Sequence, residues 1–146
     1  MMWLCAHTTQ ARNVTLREFY LVGHAALVLL EARYRLRHKS VEQLRRWARA
    51  DKPRRAKFYT RQELQMAFRR AVKWWGGTCL VRALALQRLL ARNGHISELR
   101  IGVTNSGGSF EAHAWLIDGD EILDDGGREI GEFTLLTSWP SGQVRR

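Results

Sequence analysis

The leucine-rich segment between Thr78 and Asn93 constrains the fold more than any other part of the chain. Thr78 is a good N-cap, and Asn93-Gly94 is a typical helix stop. The residues between them supply a broad apolar face: Cys79, Leu80, Ala83, Leu84, Leu86, Leu89 and Leu90. A helix this apolar is normally buried on most of its sides. The sequence therefore predicts a central helix around which the rest of the chain packs.

The chain divides into a helical half and a strand-forming half. Residues 14 to about 93 show helical periodicity, whereas residues 96 to about 136 show alternating apolar and polar positions with hairpin turns. We expect helices at about 16–37, 41–50, 61–74 and 79–92, and strands at 97–103, 110–117 and 121–124. Helices followed by antiparallel strands form an α+β fold, here a helical N-terminal half packed on a small antiparallel sheet.

A chain of 146 residues is of the usual size for one domain, so residues 1–146 are expected to form a single domain. Within it we distinguish a basic helical region at 14–75, the cysteine-bearing helix with the strands at 76–136, and a tail at 137–146. The tail contains Pro140 and Gly142, and we expect it to be loosely ordered and flexible.

Cysteine content and hydropathy indicate the cellular compartment in which the protein is expected. The two cysteines, Cys5 and Cys79, do not make a disulfide framework, so a reducing environment is the simpler expectation. Neither a signal peptide nor an uncharged apolar run of membrane-spanning length is visible. The histidines show no metal-ligand spacing, so neither a metal nor another cofactor is expected. We therefore expect a cytoplasmic protein that does not act at a membrane.

Much of the net charge of +10 lies between Arg33 and Lys73. A basic surface attracts polyanions or acidic peptides through its long-range potential. A solvated helix face in an arginine-rich proteome explains the same charge without any partner. Among partners, an acidic peptide or protein ranks first, and nucleic acid is not the expected ligand.

Cys79 and His113 are the candidate catalytic pair. Cys79 would open the central helix, whose N-terminus favours the negative charge of a thiolate. The unpaired N–H groups of that first turn could donate to an oxyanion. His113 lies in the second predicted strand and could take the thiol proton. The competing interpretation is structural, because buried cysteines are common core residues.

An imidazole in such a site must be oriented by a third group, for which Asp124 and Asp125 are candidates. A two-residue turn at Asp118-Gly119 would set His113 opposite Asp124. A turn longer by one residue would set it opposite Asp125. Hairpin geometry leaves both open.

Three motifs in order resemble one known family. They are the segment 77–90 that begins with Gly-Thr-Cys, the LRIGV sequence at 99–103 and the AHAW sequence at 112–115. Together they are similar to the transglutaminase-like leader peptidases of lasso-peptide biosynthesis, in which a cysteine opens a leucine-rich helix and an HAW strand supplies the histidine. The resemblance covers about residues 70–126 well and the basic N-terminal region loosely.

The resemblance implies a stand-alone cysteine endopeptidase with a transglutaminase- or papain-like core, which removes the leader from a ribosomally made lasso-peptide precursor. It implies a triad of Cys79, His113 and an acidic residue that falls on Asp125. A second aspartate next to Asp125 departs from the family, which often has one acidic residue there. The implied partners are the precursor peptide and a separate leader-recognition protein, with the macrolactam cyclase as a further candidate.

Three tryptophans are candidate substrate-binding residues. Trp74 and Trp75 come just before Gly76-Gly77, and Trp115 lies two residues after His113 on the same strand face. Core packing is the competing interpretation, and it is favoured for Trp74 and Trp75 because tryptophan mostly serves to bury area.

Two other functions are consistent with the sequence. One is acyl transfer to an amine, a true transglutaminase-type reaction by the same residues. The other is a non-catalytic basic module that binds an acidic protein or nucleic acid.

Overall fold

The computed structural model describes residues 15–49 and 58–142. In these ranges four α-helices precede four strands: α1 (Leu16–His38), α2 (Val41–Arg49), α3 (Arg61–Trp75), α4 (Cys79–Arg92), β1 (Glu98–Thr104), β2 (Glu111–Asp118), β3 (Glu121–Asp124) and β4 (Thr134–Pro140). Short 3-10 turns at Ser106–Gly108 and Ile130–Glu132 lie in the loops before β2 and β4. The strands form one antiparallel sheet in the order β3-β2-β1-β4. The predicted α+β architecture is confirmed.

Some predictions fall on residues 1–14, 50–57 or 143–146. The absence of a signal peptide, the environment of Cys5 and the helix end near Ala50 lie outside the described residues, and the single domain stays a prediction. Across residues 15–49 and 58–142, no helix combines the length and the apolar character needed to cross a bilayer.

Four predicted helix starts are confirmed by side-chain caps. At the start of α2, the Ser40 hydroxyl accepts the N–H of Gln43, and the Gln43 side chain accepts the N–H of Ser40 in return. Thr15 and Thr60 each accept the N–H of a glutamate at the third helical position, Glu18 and Glu63, and each glutamate accepts the N–H of its cap in return. Thr78 caps α4 without a returning glutamate. Each such cap stabilises its helix by about 1 kcal/mol.

Helix α4 is the centre of the core, as predicted. Its leucines Leu84, Leu86, Leu89 and Leu90 are completely or almost completely buried. The helix packs against α1, α2 and α3 on one side and against β1 and β2 on the other. Burying one leucine side chain contributes about 2 kcal/mol. The N-terminus of α4 is therefore held in a fixed position relative to the sheet.

The flexible tail predicted for residues 137–146 is wrong over its described part. Residues 134–140 form β4, which pairs with β1, and the Trp139 side chain is buried in the core. Pro140 is the last residue of this edge strand, a position where proline is tolerated. The strand is difficult to recognise because its first four residues are exposed and show no apolar alternation.

The turn between β2 and β3 differs from both predicted alternatives. Asp118 pairs with Glu121, which places the turn at Gly119-Asp120. A register shift farther along the hairpin moves Asp124 still farther from His113. Neither predicted aspartate lies across the hairpin from the histidine.

Part of the basic surface has a structural role. The guanidinium groups of Arg35 and Arg88 each lie 5.4 Å from the ring centre of Trp47, and that of Arg45 lies 5.5 Å from the ring centre of Trp139. Such cation–π contacts are favourable, more so when desolvated. These arginines therefore help to fix α1, α2 and α4 to one another and to β4.

Candidate active site

Cys79 is the first residue of α4, and its free thiol is partly buried against the core. The chain enters α4 from α3 through Gly76 and Gly77, which have φ values of 64° and 147°. Both values fall in the region that favours glycine. The Gly-Gly pair therefore lets the chain turn sharply from the end of α3 to the cysteine.

The first turn of α4 leaves two main-chain donors beside the thiol. The Thr78 hydroxyl accepts the N–H of Val81, and the Thr78 carbonyl accepts the N–H of Arg82. Helix geometry provides no intrahelical acceptor for the N–H groups of Cys79 and Leu80. These two amides are available to an anion that forms next to the sulfur.

The imidazole of His113 is held by a main-chain carbonyl. The ring is buried, and its Nε2 lies 2.7 Å from the carbonyl oxygen of Asp125. A carbonyl can only accept a hydrogen bond, so Nε2 carries the proton. In the neutral ring, Nδ1 is then the bare nitrogen that can accept a proton.

An aromatic cluster fixes the plane of this ring. The ring centre of His113 lies 6.2 Å from that of Trp115, with the planes 18° apart, and 5.2 Å from that of Phe133. Gly102 pairs with His113 on β1, and a Cβ at this glycine would lie 2.9 Å from Cη2 of Trp115. The same Cβ would lie 2.9 Å from the main-chain oxygen of Thr134, so a larger residue would displace Trp115, β4 or both.

The loop after β3 consists of two consecutive Asx turns. The Asp124 Oδ1 atom accepts the N–H of Gly126 at 3.2 Å, and the Asp125 Oδ1 atom accepts the N–H of Gly127 at 2.8 Å. Aspartate commonly stabilises turns in this way. The N–H of Arg128 donates to the same Asp125 carbonyl that binds His113, at 3.3 Å. In this structure the Asp125 carboxylate organises the loop while its carbonyl contacts the histidine.

Gly126 is required by close approach as well as by backbone conformation. Its φ is 66°, and a Cβ there would lie 3.2 Å from Cε1 of His113. An L side chain at this position would be strained and would press on the imidazole.

An ion pair joins the cysteine helix to this loop. The Arg82 Nη2 atom lies 2.6 Å from Asp124 Oδ1, and its Nε lies 3.2 Å from Oδ2. The two side chains are 22% and 13% exposed, so water screens the pair only in part. Arg82 is one helical turn after Cys79, and Asp124 immediately precedes the residue that binds His113.

Comparison with known proteins establishes the family. A family model described as transglutaminase-like superfamily matches residues 24–138, which include Cys79, His113 and Asp125. The chain belongs to the transglutaminase-like superfamily. Domains of this superfamily are typically hydrolases or transferases with a Cys-His-Asp triad. No curated protein and no solved structure matches the chain significantly.

This transglutaminase-like chain brings some of the predicted site residues together. His113 contacts Asp125, but no hydrogen bond joins its ring to the Cys79 sulfur within residues 15–49 and 58–142. Ala114, the next residue on β2, packs into the core that contains α4. Successive side chains of a strand point to opposite faces of the sheet, so the His113 side chain starts from the other face. The pairing of Cys79 with His113 therefore stays a prediction.

The tryptophans at the end of α3 are exposed. Trp74 is 79% and Trp75 46% exposed, so the interpretation that they pack in the core is wrong. Trp115 is buried, and its Nε1 has no hydrogen-bond partner within the part of the chain that the structure describes. Binding of substrate by the three tryptophans stays a prediction.

Several residues that shape this site are not apparent as such from the sequence. Phe133 contacts the His113 ring from the loop before β4, and Gly126 contacts it from the loop after β3. The Asp-Asp-Gly-Gly sequence at 124–127 is the one signal that could have indicated consecutive Asx turns. No group of three or more His, Cys, Asp or Glu side chains that could hold a metal ion occurs in the described ranges.

Proposed function

We propose that this chain is a cysteine endopeptidase that removes the leader from a ribosomally made lasso-peptide precursor through a thioester acyl-enzyme. The proposal is supported by membership of the transglutaminase-like superfamily and by the motifs at 77–90, 99–103 and 112–115. The observation that carries the chemistry is the hydrogen bond from His113 Nε2 to the Asp125 carbonyl, because it leaves Nδ1 bare for a proton.

In the proposed first step, Cys79 attacks the carbonyl carbon of the peptide bond between leader and core. His113 takes the thiol proton, and the oxyanion of the tetrahedral intermediate accepts a hydrogen bond from the main-chain N–H of Cys79. The C–N bond then breaks, and His113 gives its proton to the departing amine, which becomes the N-terminus of the core. The leader remains attached to the sulfur as a thioester.

In the second step, water replaces the amine. His113 removes a proton from the water, whose oxygen attacks the thioester carbon. The C–S bond then breaks, and the departing sulfur takes the proton back from His113. The products are a leader with a free carboxylate and a regenerated Cys79. Asp125 orients His113 throughout, so that the same ring nitrogen serves both steps.

The proposed partners follow from the same assignment. The precursor peptide would bind beside Cys79, with the exposed Trp74 and Trp75 as one wall of the cleft. We propose that a separate leader-recognition protein presents the leader to this chain, and that the free amine of the core then serves the macrolactam cyclase.

The test is mass spectrometry of a lasso-peptide precursor after incubation with the wild type, Cys79→Ala or His113→Ala, each with and without a leader-recognition protein from the same organism. The proposal expects separate leader and core fragments with the wild type and an intact precursor with both variants. An intact precursor in every reaction, with the recognition protein bound and the variants folded, would contradict it.

The same reactions separate the two rival functions. If an added primary amine yields a leader-amide product instead of a leader carboxylate, acyl transfer replaces hydrolysis. If the chain instead binds nucleic acid with a steep salt dependence that Cys79→Ala does not alter, a basic binding module is the better description.

A further inference from the structure

The ion pair between Arg82 and Asp124 connects the two halves of the proposed site. Arg82 lies on the cysteine helix, and its Cγ would be 3.3 Å from a Cβ at Gly77, so its stem runs beside the turn that leads into Cys79. Its guanidinium binds both oxygens of the Asp124 carboxylate. A bidentate pair of this kind fixes orientation as well as distance.

The other end of this connection is the His113 ring. Asp124 also accepts the Gly126 N–H, so its carboxylate is bound both by α4 and by the loop. Asp125 lies between the two attached residues, and its carbonyl accepts from His113 Nε2. A shift of Asp124 would therefore move the carbonyl that selects the tautomer of the imidazole.

We propose that Arg82 is a positioning residue, which fixes the Asp125 carbonyl on His113 by holding Asp124 against the N-terminal turn of α4. This inference rests on the proposed function for its catalytic consequence, but not for its effect on the ring. Within residues 15–49 and 58–142 the Arg82 side chain forms hydrogen bonds to Asp124 and to neither the thiol nor the imidazole, so it acts through the loop.

The chain offers a matched control for this role. Arg61 on α3 forms ion pairs with Asp118 and Glu121, at the turn end of the same β2–β3 hairpin. Arg61→Met therefore removes an arginine that ties a helix to the hairpin but is distant from His113. Arg82→Met removes the guanidinium while keeping most of the stem beside Gly77.

The first measurement is the nitrogen-15 NMR signal of the His113 ring, which reports which nitrogen carries the proton. The wild type and Arg61→Met are expected to show a proton fixed on Nε2 in the neutral ring. Arg82→Met is expected to show exchange between the two tautomers, and Arg82→Lys an intermediate state, because lysine keeps the charge but not the bidentate geometry. A fixed Nε2 proton in Arg82→Met would overturn the inference.

The second measurement is precursor cleavage, with kcat and KM determined separately. Arg82→Met is expected to lower kcat at least about tenfold with KM within about twofold, because misplacement of a catalytic group affects the chemical step. Asp124→Asn, which can still accept from Gly126, is expected to lower kcat in the same direction. Equal kcat losses in Arg82→Met and Arg61→Met would overturn the inference.

The two measurements separate this inference from the proposed function. If the wild type cleaves no precursor, the proposed function fails, and the NMR comparison alone decides whether Arg82 positions the ring. If Arg82→Met does not fold, Asp124→Asn is compared with the wild type in the same two measurements.

Discussion

The imidazole Nε2 of His113 lies 2.7 Å from the main-chain oxygen of Asp125, while the Asp125 carboxylate accepts the N–H of Gly127. The residue that the family resemblance selects as the third member of the triad thus contacts the histidine through its backbone. A carbonyl fixes the tautomer as a carboxylate would, but it brings no charge to an imidazolium. This distinction leads to the first prediction.

Replacement of the Asp125 carboxylate is expected to have a small effect on catalysis. In Asp125→Ser the hydroxyl can still accept from Gly127, and the main-chain carbonyl remains, so kcat/KM should stay within about tenfold of the wild type. Precursor cleavage measured by mass spectrometry checks this. A loss of several thousandfold in Asp125→Ser, with folding intact, would show that the carboxylate itself supports His113 in the active complex.

Crowding of the imidazole is expected to impair catalysis beyond any loss of stability. Gly126→Ala places a methyl group 3.2 Å from Cε1 of His113, whereas Gly119→Ala adds one in open space at a similar φ of 59°. Both variants should lose about 1–2 kcal/mol of stability, because each forces alanine into a left-handed conformation. Only Gly126→Ala should also lower kcat. Urea unfolding and cleavage assays on the two variants check this, and equal kcat values would refute the close contact.

Removal of an exposed indole is expected to weaken substrate binding without affecting the fold. Trp74 is 79% exposed, so Trp74→Ala should leave the free energy of unfolding within about 0.5 kcal/mol of the wild type. If Trp74 lines the cleft, KM for the precursor should rise severalfold. Leu16→Ala is the control, because Leu16 is 88% exposed at the start of α1. An unchanged KM in Trp74→Ala would remove this residue from the substrate site.

The start of α3 is expected to be weakened at low pH. The hydrogen bond from the Thr60 main-chain N–H lowers the pKa of Glu63 below its ordinary value of 4.5. A lowered pKa in the folded state means that the charged carboxylate stabilises the fold at neutral pH. This contribution is lost as the pH falls below about 4.5 and through the folded-state pKa.

Glu63→Gln isolates this contribution, because glutamine can complete the capping box but does not titrate. Urea unfolding of the two proteins between pH 7 and pH 3 should show the wild type losing stability relative to Glu63→Gln. A difference that stays constant over this range would contradict the assignment.

Local signals in the sequence predicted much of the helical half. Thr15, Thr60 and Thr78 mark helix starts because each hydroxyl accepts the N–H of the residue three positions later, and a threonine at this spacing from the start of a helical pattern is visible in the sequence. The apolar face that begins at Cys79 predicted the central helix, because the helical spacing of its apolar residues is also visible in the sequence. The predicted positions of Cys79 at a helix start and of His113 on a strand suggested a catalytic pair, and the family resemblance then favoured that assignment over a structural cysteine.

Relationships between distant residues could not be predicted. Strand β4 is an edge strand with little burial, so its pairing with β1 leaves no pattern in residues 134–140. The turn at Gly119-Asp120 removes both predicted pairings of His113, and the bulge farther along the β2–β3 hairpin shifts the register once more. Arg82 and Asp124 are 42 residues apart, and their contact depends on how α4 packs on the sheet.

Cys79 and His113 are proposed to work as a pair, and the alkylation rate of the Cys79 thiol tests this pairing without any substrate. In a Cys5→Ser background, reaction with iodoacetamide at pH 6 reports the thiolate at Cys79 alone. We expect a rate at least about tenfold higher with His113 present than in His113→Ala, because a neighbouring imidazolium stabilises the thiolate. Equal rates in the two proteins, both folded, would show that the sulfur and the imidazole do not interact.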